Sequence, residues 1–107
     1  MSKVRIKLRG KDGKLHVYEQ MWVSTRKLLE AMEITRDNYP SERELNQKQV
    51  EFIASVFDQK EVTPDAILDG VAAWDFNKFV DNFLDQLLGV DPNSQQEEES
   101  AEPKQNE

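Results

Sequence analysis

Residues 3–17 read KVRIKLRGKDGKLHV, and this stretch decides the fold class. Val4, Ile6 and Leu8 alternate with Lys3, Arg5, Lys7 and Arg9. A period of two with one apolar face is the pattern of a half-buried strand. Gly10-Lys11-Asp12-Gly13 breaks the alternation, and Asp-Gly is a strong turn signal between strands. Leu15 and Val17, then Met21 or Val23, continue a second and less regular strand. The expectation is a β-hairpin that buries Val4, Ile6 and Leu8, with His16 opposite the apolar side of the second strand. A lone hairpin is marginal in water, so this one must pack on something.

Beyond the hairpin, the patterned chain is helical. Ser24 or Thr25 can cap a helix to about Asp37, with Leu28, Leu29, Ala31 and Met32 as its apolar stripe. Asn38-Tyr39-Pro40 ends it. Ser41-Glu42-Arg43-Glu44 has the form of a capping box, in which Ser41 accepts from the Glu44 amide and Glu44 reaches back. Leu45, Phe52, Ile53, Val56 and Phe57 then share one face of a helix over 43–59. Thr63 and Pro64 open a short third helix over 64–73, striped by Ile67, Leu68 and Val71. Proline suits the first helical position because its missing amide would have no partner there. Asp75 stands where a cap for the last helix is needed. Phe76, Phe79, Val80, Phe83, Leu84, Leu87 and Leu88 give the most regular pattern in the chain, and Gly89 suits the left-handed position beyond its end. Each of those seven side chains, if buried, contributes about 1.5–3 kcal/mol before entropy is subtracted. The fold class is therefore α+β, a hairpin packed on about four helices. Residues 1–90 form one domain.

From Asp91 the pattern stops. Residues 91–107 read DPNSQQEEESAEPKQNE, with no large apolar side chain. Such a segment cannot offset its ordering entropy by burial, and it is expected to be disordered. The charge of −7 is unevenly spread. Residues 1–14 carry Lys3, Arg5, Lys7, Arg9, Lys11 and Lys14 against Asp12, whereas 91–107 carry six acids against Lys104. One end is basic and the rest acidic.

Several chemistries find no support. With no cysteine there is no disulfide, thiolate metal site or thiol nucleophile, and this usage fits a cytoplasmic protein. The N-terminus resembles no signal peptide, and no apolar run is long enough for a membrane span. His16 is the only histidine, too few nitrogen ligands for a metal site. Asp65, Asp69, Asp81 and Asp85 read as caps or polar-face residues. Glycine-rich phosphate loops and Ser/His/Asp spacings are absent. The chain is not expected to be an enzyme or to need a cofactor.

Binding is the remaining class. Lys3, Arg5, Lys7 and Arg9 project from one strand face at about 7 Å intervals. This row fits a solvated edge that discourages aggregation, an acidic protein partner, or a nucleic-acid backbone. The acidic body repels phosphate, and no aromatic residue alternates with the cations as a stacking platform would require, so nucleic acid ranks last. Trp22 and Trp74 lie at element boundaries, where tryptophan edges a core or anchors an interface. With Phe52 they are the aromatic candidates for a partner-binding groove, beside the basic row.

Order and motif together resemble a known family. VRIKLRGKDGK (4–14) leads into STRKLLEAMEI (24–34), then VEFIASVFDQKEVTPDAILDGV (50–71) and a closing amphipathic helix with an acidic tail. This is similar to the tail assembly chaperones of long, non-contractile-tailed phages and prophages of Gram-positive bacteria, over about residues 3–90. The segment from Val50 to Val71 is the most specific, with Val62 where phenylalanine is more usual. The resemblance implies a non-catalytic protein that binds and solubilises the tape measure protein, helps recruit tail tube subunits, and is absent from the mature virion. It also implies two lengths made by a programmed frameshift. The short form then ends at Glu107, with the longer form and possible self-association among its partners. The alternatives are a small regulator that binds nucleic acid through the hairpin, and a structural head–tail connector. A tape measure gene directly downstream favours the chaperone alone.

The tail yields a test. Deleting residues 92–107 is expected to leave the melting temperature nearly unchanged, and backbone amides of 93–107 to show low order parameters by NMR. A loss of several degrees on deletion would mean that the tail packs, against its composition.

Overall fold

The computed structural model describes residues 3–89, so the expectation for the acidic tail lies outside the described residues. The alternating segment forms strand β1 (Val4–Arg9), paired antiparallel with β2 (Leu15–Gln20). Helices α1 (Thr25–Met32), α2 (Glu42–Val56) and α3 (Pro64–Gly70) come next. A single 3-10 turn (Ala73–Asp75) leads into α4 (Phe76–Leu87). The architecture is α+β, with a two-stranded hairpin and then four helices.

Val4, Ile6 and Leu8 all point into the core and are buried. They meet Val50, Ile53 and Val56 of α2, Ile67 of α3, and Val80 and Phe83 of α4 in one cluster. Phe83 is its centre. Its ring stands edge-on to Phe52 with centroids 6.3 Å apart, and lies 6.2 Å from Phe57. Edge-to-face rings at this spacing add to the area term because the positive edge of one meets the negative face of the other. Gly70 lets α3 close on β1: a Cβ there would sit 3.0 Å from the Arg9 carbonyl oxygen and 3.0 Å from Leu8 Cβ.

The second strand departs from the sequence expectation. Arg9 lies opposite Leu15, Lys7 opposite Val17 and Leu8 opposite His16. Leu15 and Val17 therefore share the outer face with the cations, and His16 shares the inner face with Leu8. The cause is the loop. Gly10 N–H donates to the Lys14 carbonyl and Gly13 N–H to the Gly10 carbonyl, with Gly13 left-handed at φ 79°. This leaves a three-residue connection, and loop length fixes register. A shift of one residue moves every side chain to the other face. β2 buries none of its six residues. His16 stays solvent-accessible, its Nε2–H donating to the Asp12 carboxylate at 3.1 Å. The Asp12 carboxyl is held below its ordinary value, first by the Lys14 backbone N–H and then by His16.

Helix ends also differ from expectation. α1 stops at Met32 rather than near Asp37. Asn38 Nδ2 donates to the Glu33 carbonyl and Asn38 N–H to Thr35 Oγ1, so side chains satisfy groups that helix continuation would use. Neither Ser24 nor Asp75 makes a side-chain cap. Asp75 has helical backbone angles, because the 3-10 turn runs straight into α4. Thr63 does cap α3, accepting from Ala66 N–H at 3.0 Å, and Gly89 takes the left-handed position with φ 79°. At Ser41 only half of the capping box is present, with Oγ accepting from Glu44 N–H at 3.4 Å. α2 ends at Val56, where Phe57 turns extended, and α3 ends at Gly70. Of the seven apolar residues in the pattern of the last helix, Val80 and Phe83 are buried. Phe76, Phe79, Leu84 and Leu87 pack half-buried around them, and Leu88 is exposed.

Phe83 is 0% exposed. Phe83→Ala is expected to cost about 3–5 kcal/mol in urea unfolding, most of the stability of a domain this size. A cost below about 1 kcal/mol would remove Phe83 from the centre of the core.

Candidate functional site

Three side-chain amides fix the hairpin in place. Gln86 of α4 accepts from Arg5 N–H at 2.7 Å through Oε1, and donates to the Arg5 carbonyl at 2.9 Å through Nε2. Gln59, beyond α2, donates to the Glu19 carbonyl at 2.8 Å. At the same end of β2, Gln20 donates to the Asp58 carboxylate and accepts from Asp58 N–H, each at 3.0 Å. The outer sheet face is thereby held outward, and Lys3, Arg5, Lys7 and Arg9 all stand exposed on it.

The row of cations is less uniform than its sequence. Glu19, opposite Arg5, has its carboxylate 3.3 Å from Lys3 Nζ and 3.7 Å from Arg5 Nε. Exposed pairs of this kind contribute little stability but halve the free charge at that end. Lys7 and Arg9 have Val17 and Leu15 opposite them instead. Among the described residues no ion pair engages either. The half of the face nearest the turn is therefore apolar and cationic at once.

Both tryptophans are on the surface. Trp22 is 79% exposed and Trp74 86%. Trp22 stands beside a groove of about 480 Å³ between the open end of the hairpin, α1 and the end of α4, walled by Val4, Met21, Val23, Leu28 and Leu87. Trp74 stands beside a second groove of about 560 Å³, where Lys7, Arg9 and Leu15 face Lys78 and Phe79 of α4. Phe52 belongs to neither groove. It is buried against Phe83, so it is a core residue and not an edge aromatic. Its place in the regular face of α2 was the signal for this.

The sequence reading missed the rest of the apolar surface. Met21, Leu29, Met32, Leu68 and Leu88 are exposed, and α1 buries no residue at all. In α1 the expected stripe of four divides, with Leu28 and Ala31 half-buried and Leu29 and Met32 in solvent. The chain thus carries apolar side chains that its core does not enclose. Covering one such tryptophan yields roughly 3–5 kcal/mol of gross apolar stabilisation before ordering costs.

Among the described residues, no cluster of histidine, aspartate and glutamate is arranged to hold a metal ion, and no described helix is long and apolar enough to cross a membrane. The geometry places two exposed tryptophans beside two open grooves. The chain matches the family model of the phage tail chaperone protein over residues 1–105, and it belongs to that family. Neither a curated protein nor a solved structure matches it. Family membership assigns a chaperone role in phage tail assembly, which points to binding rather than catalysis, and partners among tail proteins.

If Trp22 and Trp74 serve contact rather than folding, Trp22→Ala and Trp74→Ala should each change unfolding free energy by less than about 0.5 kcal/mol. Thermal unfolding followed by circular dichroism checks this. A cost of several kcal/mol would place the ring in the fold.

Proposed function

We propose that this chain binds the tape measure protein and keeps it soluble while a tail is assembled, and that it helps recruit tail tube subunits, without catalysis. The observation that carries the reading is the pair of exposed tryptophans beside apolar grooves on a chain of net charge −7. A long protein built of amphipathic helices exposes apolar stripes until its final partners enclose it. A chaperone for such a stripe needs anchors that bury apolar side chains and an exterior that resists coalescence. Trp22 and Trp74 fit the first need. Net negative charge fits the second. The action takes place in the host cytoplasm, and the protein leaves before the virion is finished. A longer, frameshifted form of the same chain is a further partner on this reading.

The cationic row has a secondary part. Lys7 and Arg9, flanking the Trp74 groove, attract acidic segments of the partner and raise the association rate more than the final affinity. Added salt therefore slows association more than it speeds dissociation.

Co-expression is the test. A tape measure fragment made alone should aggregate, and this protein should hold it in the soluble fraction. The Trp22→Ala, Trp74→Ala double variant should lose that effect while remaining folded. A mixed-sequence DNA duplex in the same salt series provides the contrast, since binding through several phosphates falls by powers of ten as salt rises. Tight duplex binding with no gain in tape measure solubility would replace the chaperone reading with a nucleic-acid regulator.

A further inference from the structure

α1 is loosely held in this fold. It buries no residue, Ser24 makes no side-chain cap, no acid stands in its first turn and no base in its last. Its 8 residues are too few for a helix to persist unaided in water. Among the described residues, one side-chain hydrogen bond joins it to another element, from Lys27 Nζ to Ser55 Oγ at 3.1 Å. The chain on either side is better fastened. Before α1, Gln20 donates to the Trp22 carbonyl and to the Asp58 carboxylate. After it, Arg36 pairs with Glu42 of α2, and Lys48 stands over the Tyr39 ring. α1 is thus a short, weakly seated helix between two anchored ends.

Its seat lies between α2 and α4. Lys27, Leu28 and Ala31 are the half-buried residues of α1, and they share one face. Ala31, with Ile34 just beyond the helix, meets Phe52 and Ile53 of α2 and Val80 and Leu84 of α4 around a cavity of about 20 Å³. Atoms that line a void lack partners on one side, so this seam is under-packed. Leu28 instead walls the groove beside Trp22, together with Val4 and Leu87. α1 therefore divides the seat from the groove. Val80, Leu84 and Leu87 stand at i, i+4 and i+7 on α4, which places them in one stripe. With α1 lifted, seat and groove join into a single apolar trough along that stripe.

We infer that α1 is a displaceable flap, and that an amphipathic helix of the partner takes its place in the trough between α2 and α4. What occupies the seat shows the chemistry it accepts: a helix with apolar side chains three residues apart, Leu28 and Ala31, and a cation beside them, Lys27. A partner helix with a longer apolar stripe covers the seat and also reaches Leu87 and Trp22. A cation at the place of Lys27 reuses Ser55 Oγ. Such a helix laid into a groove replaces like with like, and its extra contacts favour the open form. While α1 is seated, apparent affinity is reduced by the fraction of protein that is open. The choice of occupant rests on the reading of the tape measure protein, with its amphipathic helices, as the partner.

Hydrogen exchange on the full chain, alone and with the co-expressed tape measure fragment, is the test. In the free protein, the amides of Leu29 to Met32 should exchange at least about 100-fold faster than those of Val80 and Phe83, as a locally opening element does. Ala31→Asp sets a charge against the seat and should abolish the remaining protection of α1 while leaving that of α4 unchanged. It should also tighten binding of the fragment, by about tenfold where the open fraction of the wild type is about a tenth. Leu29→Asp, on the exposed side of the same helix, should leave binding unchanged. Bound fragment should speed exchange in α1 and slow it in α4. Equal protection of α1 and α4 in the free protein overturns the inference. So does loss of α4 protection in Ala31→Asp, which would make α1 part of the core. A fragment held soluble with α1 still protected, or no more tightly by Ala31→Asp, overturns the flap and leaves the tape measure reading intact. A fragment that no version keeps soluble overturns that reading and this occupant with it, while the exchange rates still decide the opening.

Discussion

The fold is organised around the burial of one face of β1. Val4, Ile6 and Leu8 are the only residues of the hairpin that enter the core fully. A two-stranded sheet has too little apolar area to persist alone, so β1 must be covered by helices. α2, α3 and α4 supply that cover through Ile53, Ile67 and Phe83. Each is amphipathic, and each would be unstable without the strand it packs on. The close approach at Gly70 and the double hydrogen bond of Gln86 to Arg5 hold strand and helices in a single relation.

That arrangement explains how a small chain keeps apolar side chains in water. β1 and three helices complete a core around Phe83. α1, β2 and the segment around Trp22 contribute little to it, and α1 buries no residue. Their large apolar residues Leu15, Val17, Met21, Trp22, Leu29 and Met32 are exposed rather than enclosed by the core. The tryptophans combine large apolar area with few rotatable bonds, so each can anchor a contact at low entropic cost.

The outer sheet face shows how neighbours alter the meaning of a residue. Four cations in alternation suggest a uniform basic row. Glu19 engages Lys3 and Arg5, whereas Lys7 and Arg9 face Val17 and Leu15. The row is neutralised at one end, and at the other it becomes an apolar edge with flanking positive charge.

Element types, their order and most of the core were legible in the sequence. Alternation in residues 4–9, the face shared by Phe52, Ile53 and Val56, and the spacing from Phe76 to Leu87 are local periodicities, and local periodicity sets which face an element buries. The Thr63-Pro64 start and the Gly89 stop were legible for the same reason, since caps act within one turn. Family membership over residues 1–105 was legible as a resemblance of motif and order. How much of each apolar stripe is covered depends instead on tertiary packing. Leu29, Met32 and Leu88 continue their stripes but find no neighbour, and Phe52, a plausible edge aromatic in sequence, is enclosed by Phe83. Packing and loop closure also set the face of β2. Asp-Gly announced a turn without giving its length, and the three-residue loop placed Leu15 across from Arg9. With a side-chain period of two, that one residue of register turned Leu15 and Val17 outward and set His16, expected opposite the apolar side, on the inner face beside Leu8.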